Sequence, residues 1–196
     1  TARLNKQGGW EEPELIDEDI LNSAGSEGTP FMNKNFSTLY FTRCPNHKKR
    51  ESGCQIMKAS RTGSAFSDPI AVEIKTIDSL DVVGHPTLSS DELTLIFASE
   101  RRNGIGGKDL WISERESTSE EFGRPRNLSA IINTESDELY PFMRNDSTLY
   151  FASDGHGGMG GLDIFVTTLD SLGEWTTPVN LKSPINSIGN DYAITF

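Results

Sequence analysis

The chain has 196 residues and lacks any run of about 18 apolar residues, so no stretch is long enough to cross a bilayer as a helix. It is also short of positive charge. Against 29 Asp and Glu stand 18 Lys and Arg, a formal net charge of −11 at pH 7. A phosphate backbone would be repelled by that balance, which argues against sequence-independent nucleic-acid binding. The one basic run, "HKKR" at His47–Arg50, is short and reads as a solvated loop tip. No stretch of ten or more residues keeps a clean helical period; Pro13–Ala24 comes nearest and fits a connection between units equally well. The strained G-x-S-x-G turn of serine hydrolases is absent, as are the S-x-D-x-G-x-T-W boxes of sialidase-type propellers. No catalytic residue is assigned, and a non-enzymatic role is expected.

Cysteine is scarce too: only Cys44 and Cys54, ten positions apart. A cross-link between them would suit an oxidising compartment; two reduced, half-buried thiols are the alternative. His47 between them gives C-x2-H-x6-C, three zinc ligands without a fourth, so no metal site is expected. The acidic stretches "NTESDELY" and "EEPELIDED" lack the spacing of a calcium loop and read as solvated charge. No cofactor is implied.

What the chain does have is repetition. "STLYF" ends at Phe41, "LTLIF" at Phe97 and "STLYF" at Phe151. Each follows a proline (Pro30, Pro86, Pro141) and a polar turn. Each precedes a second apolar run, "CQIMKAS", "DLWISER" or "DIFVTTL", and then an aromatic with proline three places on: Phe66 and Pro69, Phe122 and Pro125, Trp175 and Pro178. Trp10 and Pro13 repeat that pair early in the chain. A period of this length points to propellers, solenoids or arrays. About four short β-prone runs per unit, bounded by Gly, Asn, Asp and Ser, specify an all-β β-propeller of four-stranded antiparallel blades. Alternation puts Leu39, Leu95 and Leu149 on one face of the second strand, with Tyr40, Ile96 and Tyr150 on the other. Both faces are apolar, as a strand sandwiched between blades requires.

The chain therefore reads as a single propeller domain or fragment over 1–196. Three full blades fall at about 28–77, 84–132 and 138–186. A partial blade combines 1–16 with 190–196, giving either a four-bladed ring or an arc of a larger propeller. An open arc would expose apolar faces and invite self-association. Opening as it does in mid-unit, the chain is expected to be an excised domain. The glycine loops "NGIGGKDLW" and "GHGGMGGLDIF" join second to third strands; their glycines are expected to supply positive φ, and Asp109 and Asp163 to pin the turn. Gln55 stands where the first unit would have that aspartate. A phosphate cradle is excluded because a strand, not a helix, follows.

Taken together, "STLYF", "VGHPTLSSDELTLIFASERRNGIGGKDLW", "ELYPFMRNDSTLYFASDGHGGMGGLDIF" and "PINSIGNDYAITF" resemble TolB-like, WD-like propeller repeats. The resemblance is closest to the propeller region of PorE-type, OmpA-family lipoproteins of Bacteroidetes, which also carry a paired-cysteine loop. It covers nearly the whole chain and implies a periplasmic, outer-membrane-associated scaffold of type IX secretion that binds a protein or peptide. Candidate contact residues lie at inner-strand ends and in the loops after second strands: Arg43, His85, Arg101, Arg102, Tyr140, Arg144 and His156. The basic members could meet a carboxylate terminus or an acidic peptide. The alternative is a carbohydrate-active or hydrolytic propeller, which would need a deep pocket with convergent carboxylates and an aromatic platform.

Overall fold

The structure, a computed structural model, describes residues 4–14, 16, 20–46, 53–77 and 81–196. His47 and the "HKKR" run lie outside the described residues. The described residues form only β-strands, in three antiparallel sheets. Blade one comprises β1 (Ser26–Met32), β2 (Thr38–Cys44), β3 (Gln55–Thr62), β4 (Ala65–Phe66) and β5 (Ile70–Ala71). Blade two comprises β6 (Val83–Leu88), β7 (Thr94–Ser99), β8 (Asp109–Glu114) and β9 (Arg126–Asn127). Blade three comprises β10 (Glu138–Arg144), β11 (Thr148–Ser153), β12 (Asp163–Thr168) and β13 (Val179–Asn180). Blade one departs from four strands because its outer strand is split: β4 and β5 both pair with β3.

The sheets stack as cards. Leu95 and Phe97 of β7 face blade one, where they join Tyr40, Ile56 and Ile74; Ile96 and Ala98 face blade three, where they join Leu149, Phe151 and Phe165. The second strand of blade two is thus apolar on both sides for want of water on either. The far face of blade one (Leu39, Phe41, Met57) is covered by Leu21 from the N-terminal segment.

The two chain ends repeat parts of a blade. The Leu4–Trp10 bridge, with Asn5 Oδ1 accepting from the amides of Gln7 and Gly9, copies the Leu169–Trp175 bridge, where Asp170 Oδ1 accepts from Leu172 and Glu174. Asn186 bonds both backbone groups of Ile164 as Asn133 bonds both of Leu110. Asp191 accepts from Ser187 as Glu138 accepts from Thr134. Residues 4–14 therefore occupy the place of a third-to-fourth strand hairpin, and residues 186–196 the entry and path of an inner strand. No ladder joins these two segments among the described residues.

The glycine loops correct one expectation. None of the glycines in 103–108 or 155–161 lies at positive φ. They are needed for room. A Cβ on Gly104 or Gly158 would strike the Asp109 or Asp163 carboxylate, and one on Gly106 or Gly160 would strike the backbone leading into the next inner strand. Asp109, fully buried, accepts from the amides of Ile105 and Gly106 and from Asn127 Nδ2; Asp163 accepts from Met159 and Gly160. In blade one Cys44 and Cys54 are joined by a disulfide. The register places this bond where blade two has the Glu100–Lys108 ion pair at 3.3 Å.

Candidate functional site

All three inner strands carry a β-bulge at the same place, between Gly28 and Phe31, Gly84 and Thr87, and Leu139 and Phe142. At its centre sits an X-Pro pair whose first residue is held in the left-handed region: Thr29 at φ 50°, His85 at 54° and Tyr140 at 50°. None is glycine, so each conformation is strained by about 1–3 kcal/mol. Bulges re-aim side chains, and here they bring neighbouring blades' residues into one line. Thr29 Oγ1 lies 2.6 Å from Thr42 Oγ1, which also accepts from the His85 amide at 2.8 Å. The Tyr140 amide donates to His85 Nδ1 at 3.2 Å. The His85 and Tyr140 rings stack at 4.2 Å between centroids, and Tyr192 stacks on Tyr140 at 4.9 Å.

Because Nδ1 accepts, the His85 proton sits on Nε2 and the ring is neutral. Burial, helped by the Lys108 charge, lowers its pKa to about 4. Burial and the neighbouring Tyr192 push the Tyr140 phenol up, against the Lys108 charge. The result is a neutral, three-ring ledge across the inner strands. Its outer end is open, since Tyr192 is 52% exposed. Flat faces with one ring N–H and phenol hydroxyls suit planar, weakly polar groups such as peptide bonds and side-chain rings.

Of the residues singled out from sequence, His85 and Tyr140 meet here; the others do not. Arg43 is tied to Glu27 Oε1 at 2.8 Å and to the Leu21 carbonyl. Burial raises the Glu27 pKa, but bonds from Ser23 and Arg43 outweigh it and hold the carboxyl below its usual range. Arg101 lies over the Trp111 ring and donates to the Thr76 carbonyl. Arg102 is exposed. Arg144 lies over Phe196 at the hairpin end of β10, the opposite blade end from Arg43. The arginines therefore do not form one basic patch. His156 bonds the Ile132 carbonyl at 2.8 Å and packs on Phe151 and Phe165. Thr42 and Tyr192 are the ledge residues that sequence reading missed, as was the Lys108 charge that acts on the rings. The signal for Tyr192 was present: "NDYAITF" matches an inner strand, and Ala193 at φ 61° occupies the bulge position of Tyr140.

A second concavity, of about 360 Å³, opens between blades two and three at the hairpin ends. Asp91, Glu114, Asp146, Glu174, Arg126 and Trp175 line it. Most of these acids have protein partners. Asp146 accepts from Ser90, and Glu114 faces Arg126 at 3.6 Å. The Ser89 hydroxyl and the Leu93 amide hold Asp91 below the usual carboxylate range.

No protein-family profile and no curated protein sequence matches the chain. Solved structures do. A family-43 glycoside hydrolase described as thermostable superposes with a TM-score of 0.55 at 16% identity, over 91% of this chain and 62% of that one. TolB from Acinetobacter baumannii gives 0.53 at 13%, over 88% of this chain and 35% of that one. A puromycin-hydrolyzing peptidase from Mycobacterium tuberculosis gives 0.52 at 16%, over 93% and 24%. The chain spans less than two thirds of each of these proteins. At such identities the likeness shows a shared β-propeller fold, on which binding proteins and enzymes alike are built.

Proposed function

We propose that the chain is a non-catalytic protein- or peptide-binding scaffold of the cell envelope, with the ledge of His85, Tyr140 and Tyr192 as its contact surface. The observation that carries this reading is the strained bulge shared by all three inner strands, which aims the two stacked rings of His85 and Tyr140 along one line. Strain of this kind persists where the surrounding structure enforces it, and it gathers at functional sites. The Cys44–Cys54 bond suits an oxidising compartment and so supports a periplasmic location. Membership of an OmpA-family lipoprotein in type IX secretion rests on the sequence resemblance alone.

One observation favours the carbohydrate-active alternative: the acid-lined concavity with Trp175 at its wall. Against it, three of those acids are engaged by the protein itself: Asp146 accepts from Ser90, Glu114 faces Arg126, and the Ser89 hydroxyl and Leu93 amide hold Asp91 below its usual range.

The test is an immobilised array of extended octapeptides probed with the wild-type chain and with Tyr140→Ala and Tyr192→Ala. The proposal expects a subset of peptides to bind and both variants to lose them at least tenfold while keeping the wild-type melting temperature. Retained binding in both variants, or turnover of aryl arabinosides and xylosides by the wild type, would reject it.

A further inference from the structure

The seam between two joined blades can be filled or open, and this chain has one of each. Blade one runs into blade two through the connection after Val72, and blade two into blade three through the connection after Leu128. The two connections start alike: the Val72 amide donates to the Ile56 carbonyl as the Leu128 amide donates to the Leu110 carbonyl. They also end alike, with Val83 facing Ser99 as Glu138 faces Ser153. The first is one residue longer. In it Glu73–Lys75 run beside Phe122 as a parallel β-bridge. The Phe122 N–H donates to the Glu73 carbonyl and the Lys75 N–H to the Phe122 carbonyl, each at 2.9 Å. Ile74, between them, is buried in the core shared by the two blades, and Lys75 Nζ lies 3.4 Å from Glu121.

The second connection leaves this path at once. Ser129, next after Leu128, is left-handed at φ 77°, and among the described residues no bridge joins the connection to Trp175, the counterpart of Phe122. The Trp175 backbone N–H and C=O have no partner among the described residues. In the Leu169–Trp175 bridge the neighbours bond instead: the Asp170 N–H to the Glu174 carbonyl and the Thr176 N–H to the Thr168 carbonyl. Phe122 is 0% exposed, whereas Trp175 is only half-buried and Ile131, on the facing wall, is 48% exposed. Where the first seam holds Glu73–Lys75, the second holds the concavity of about 360 Å³. Asp91, Glu114, Asp146 and Glu174 outnumber Arg126 on its rim, and Glu174 has the position of Glu121. Both blades and their connection lie wholly within the described residues, so the opening belongs to the seam and not to either end of the chain.

We propose that the seam between blades two and three is a slot for a partner polypeptide, filled by an extended apolar–Lys pair that runs beside Trp175 as Ile74–Lys75 runs beside Phe122. Three contacts define the occupant. Its backbone takes the Trp175 N–H and C=O, which is recognition by strand addition on the smallest scale. Its apolar side chain, of Ile or Leu size, enters the concavity towards Ile112, Leu128 and Met143. Its lysine meets Glu174, and the acid rim turns away acidic segments. The occupant's chemistry follows from the chain's own precedent, since the same setting one seam earlier holds that pair. The slot shares no residue with the ledge and does not rest on the ledge's role.

The probe is a capped synthetic peptide that copies Val72–Thr76 with Glu73→Lys, beside a control peptide that also carries Ile74→Asp. The Trp175 backbone amide of the full chain is followed by nitrogen–proton correlation NMR during titration. The proposal expects a saturable shift of that amide with the probe and at least tenfold weaker binding of the control. In the protein, Glu174→Lys should weaken binding of the probe at least fivefold with an unchanged melting temperature, while Tyr140→Ala leaves it within twofold. No shift at Trp175, equal binding of the two peptides, binding unmoved by Glu174→Lys, or binding lost in Tyr140→Ala overturns it. A shift produced by xylotriose and not by the peptide also overturns it, because the concavity is then a sugar site. So does a Trp175 shift that follows protein concentration without peptide, because a second copy is then the occupant, and so does a Trp175 amide already protected from exchange in the free chain, because the slot is then filled from within.

Discussion

At the scale of single residues, His85 shows how position sets chemistry. Its pKa, lowered to about 4, lies below the value of about 6.5 it takes in an unfolded chain. Between those values the unfolded state binds a proton that the folded state does not, so stability falls as pH drops from about 6.5 to about 4 and levels off below. The full effect is about 3 kcal/mol at most. Urea midpoints at pH 7.0 and 4.5 should separate for the wild type, and the separation should shrink clearly in His85→Gln. The glycines offer a sharper contrast. Gly106→Ala puts a methyl group against the backbone of Thr134–Ser136, which cannot swing aside, whereas Gly157→Ala meets nothing within 4 Å. Thermal melts should place the first about 2–3 kcal/mol below wild type and the second within about 0.5 kcal/mol.

At the scale of elements, most of the fold was legible because a propeller writes its period into the chain. The "TLYF" motif gave the second strands, since apolar residues on both faces are needed wherever a strand has a blade on each side. The loop aspartates were legible as acceptors for the same reason that buried amides need partners. What the glycines do was not, because room for a Cβ depends on a neighbouring blade that is distant in sequence. The ledge was half legible: His85 and Tyr140 stood out before their prolines, but only the bulge reveals that they stack. The arginines misled because an exposed-looking basic residue and one bonded to a carbonyl read alike in sequence. One element invites a swap. The Cys44–Cys54 bond closes a loop of about ten residues, which should contribute about 3 kcal/mol through the unfolded state. Denaturation with and without reductant should show that loss in the wild type. Cys44→Glu with Cys54→Lys, copying the Glu100–Lys108 pair, should recover no more than about 1 kcal/mol of it.

At the scale of the whole molecule, equivalent positions are not equivalent in energy, because the blades differ in what lies against them. Ile132→Asp would bury a charge with no partner and should destabilise by roughly 4 kcal/mol or more. Ile185→Asp, the same change one blade on, should stay within about 0.5 kcal/mol in the isolated chain. Paired chemical denaturation curves of the two variants measure the difference directly.

The asparagine clasps carry a mechanical corollary. Asn133 and Asn186 fasten the way into each new card to the card before it, through both backbone groups of Leu110 and Ile164. Tension applied at Phe196 therefore meets these fastenings one after another, not all at once. The three stacked blades should come apart from the C-terminal side in discrete steps, and the covalently stapled first card should let go last.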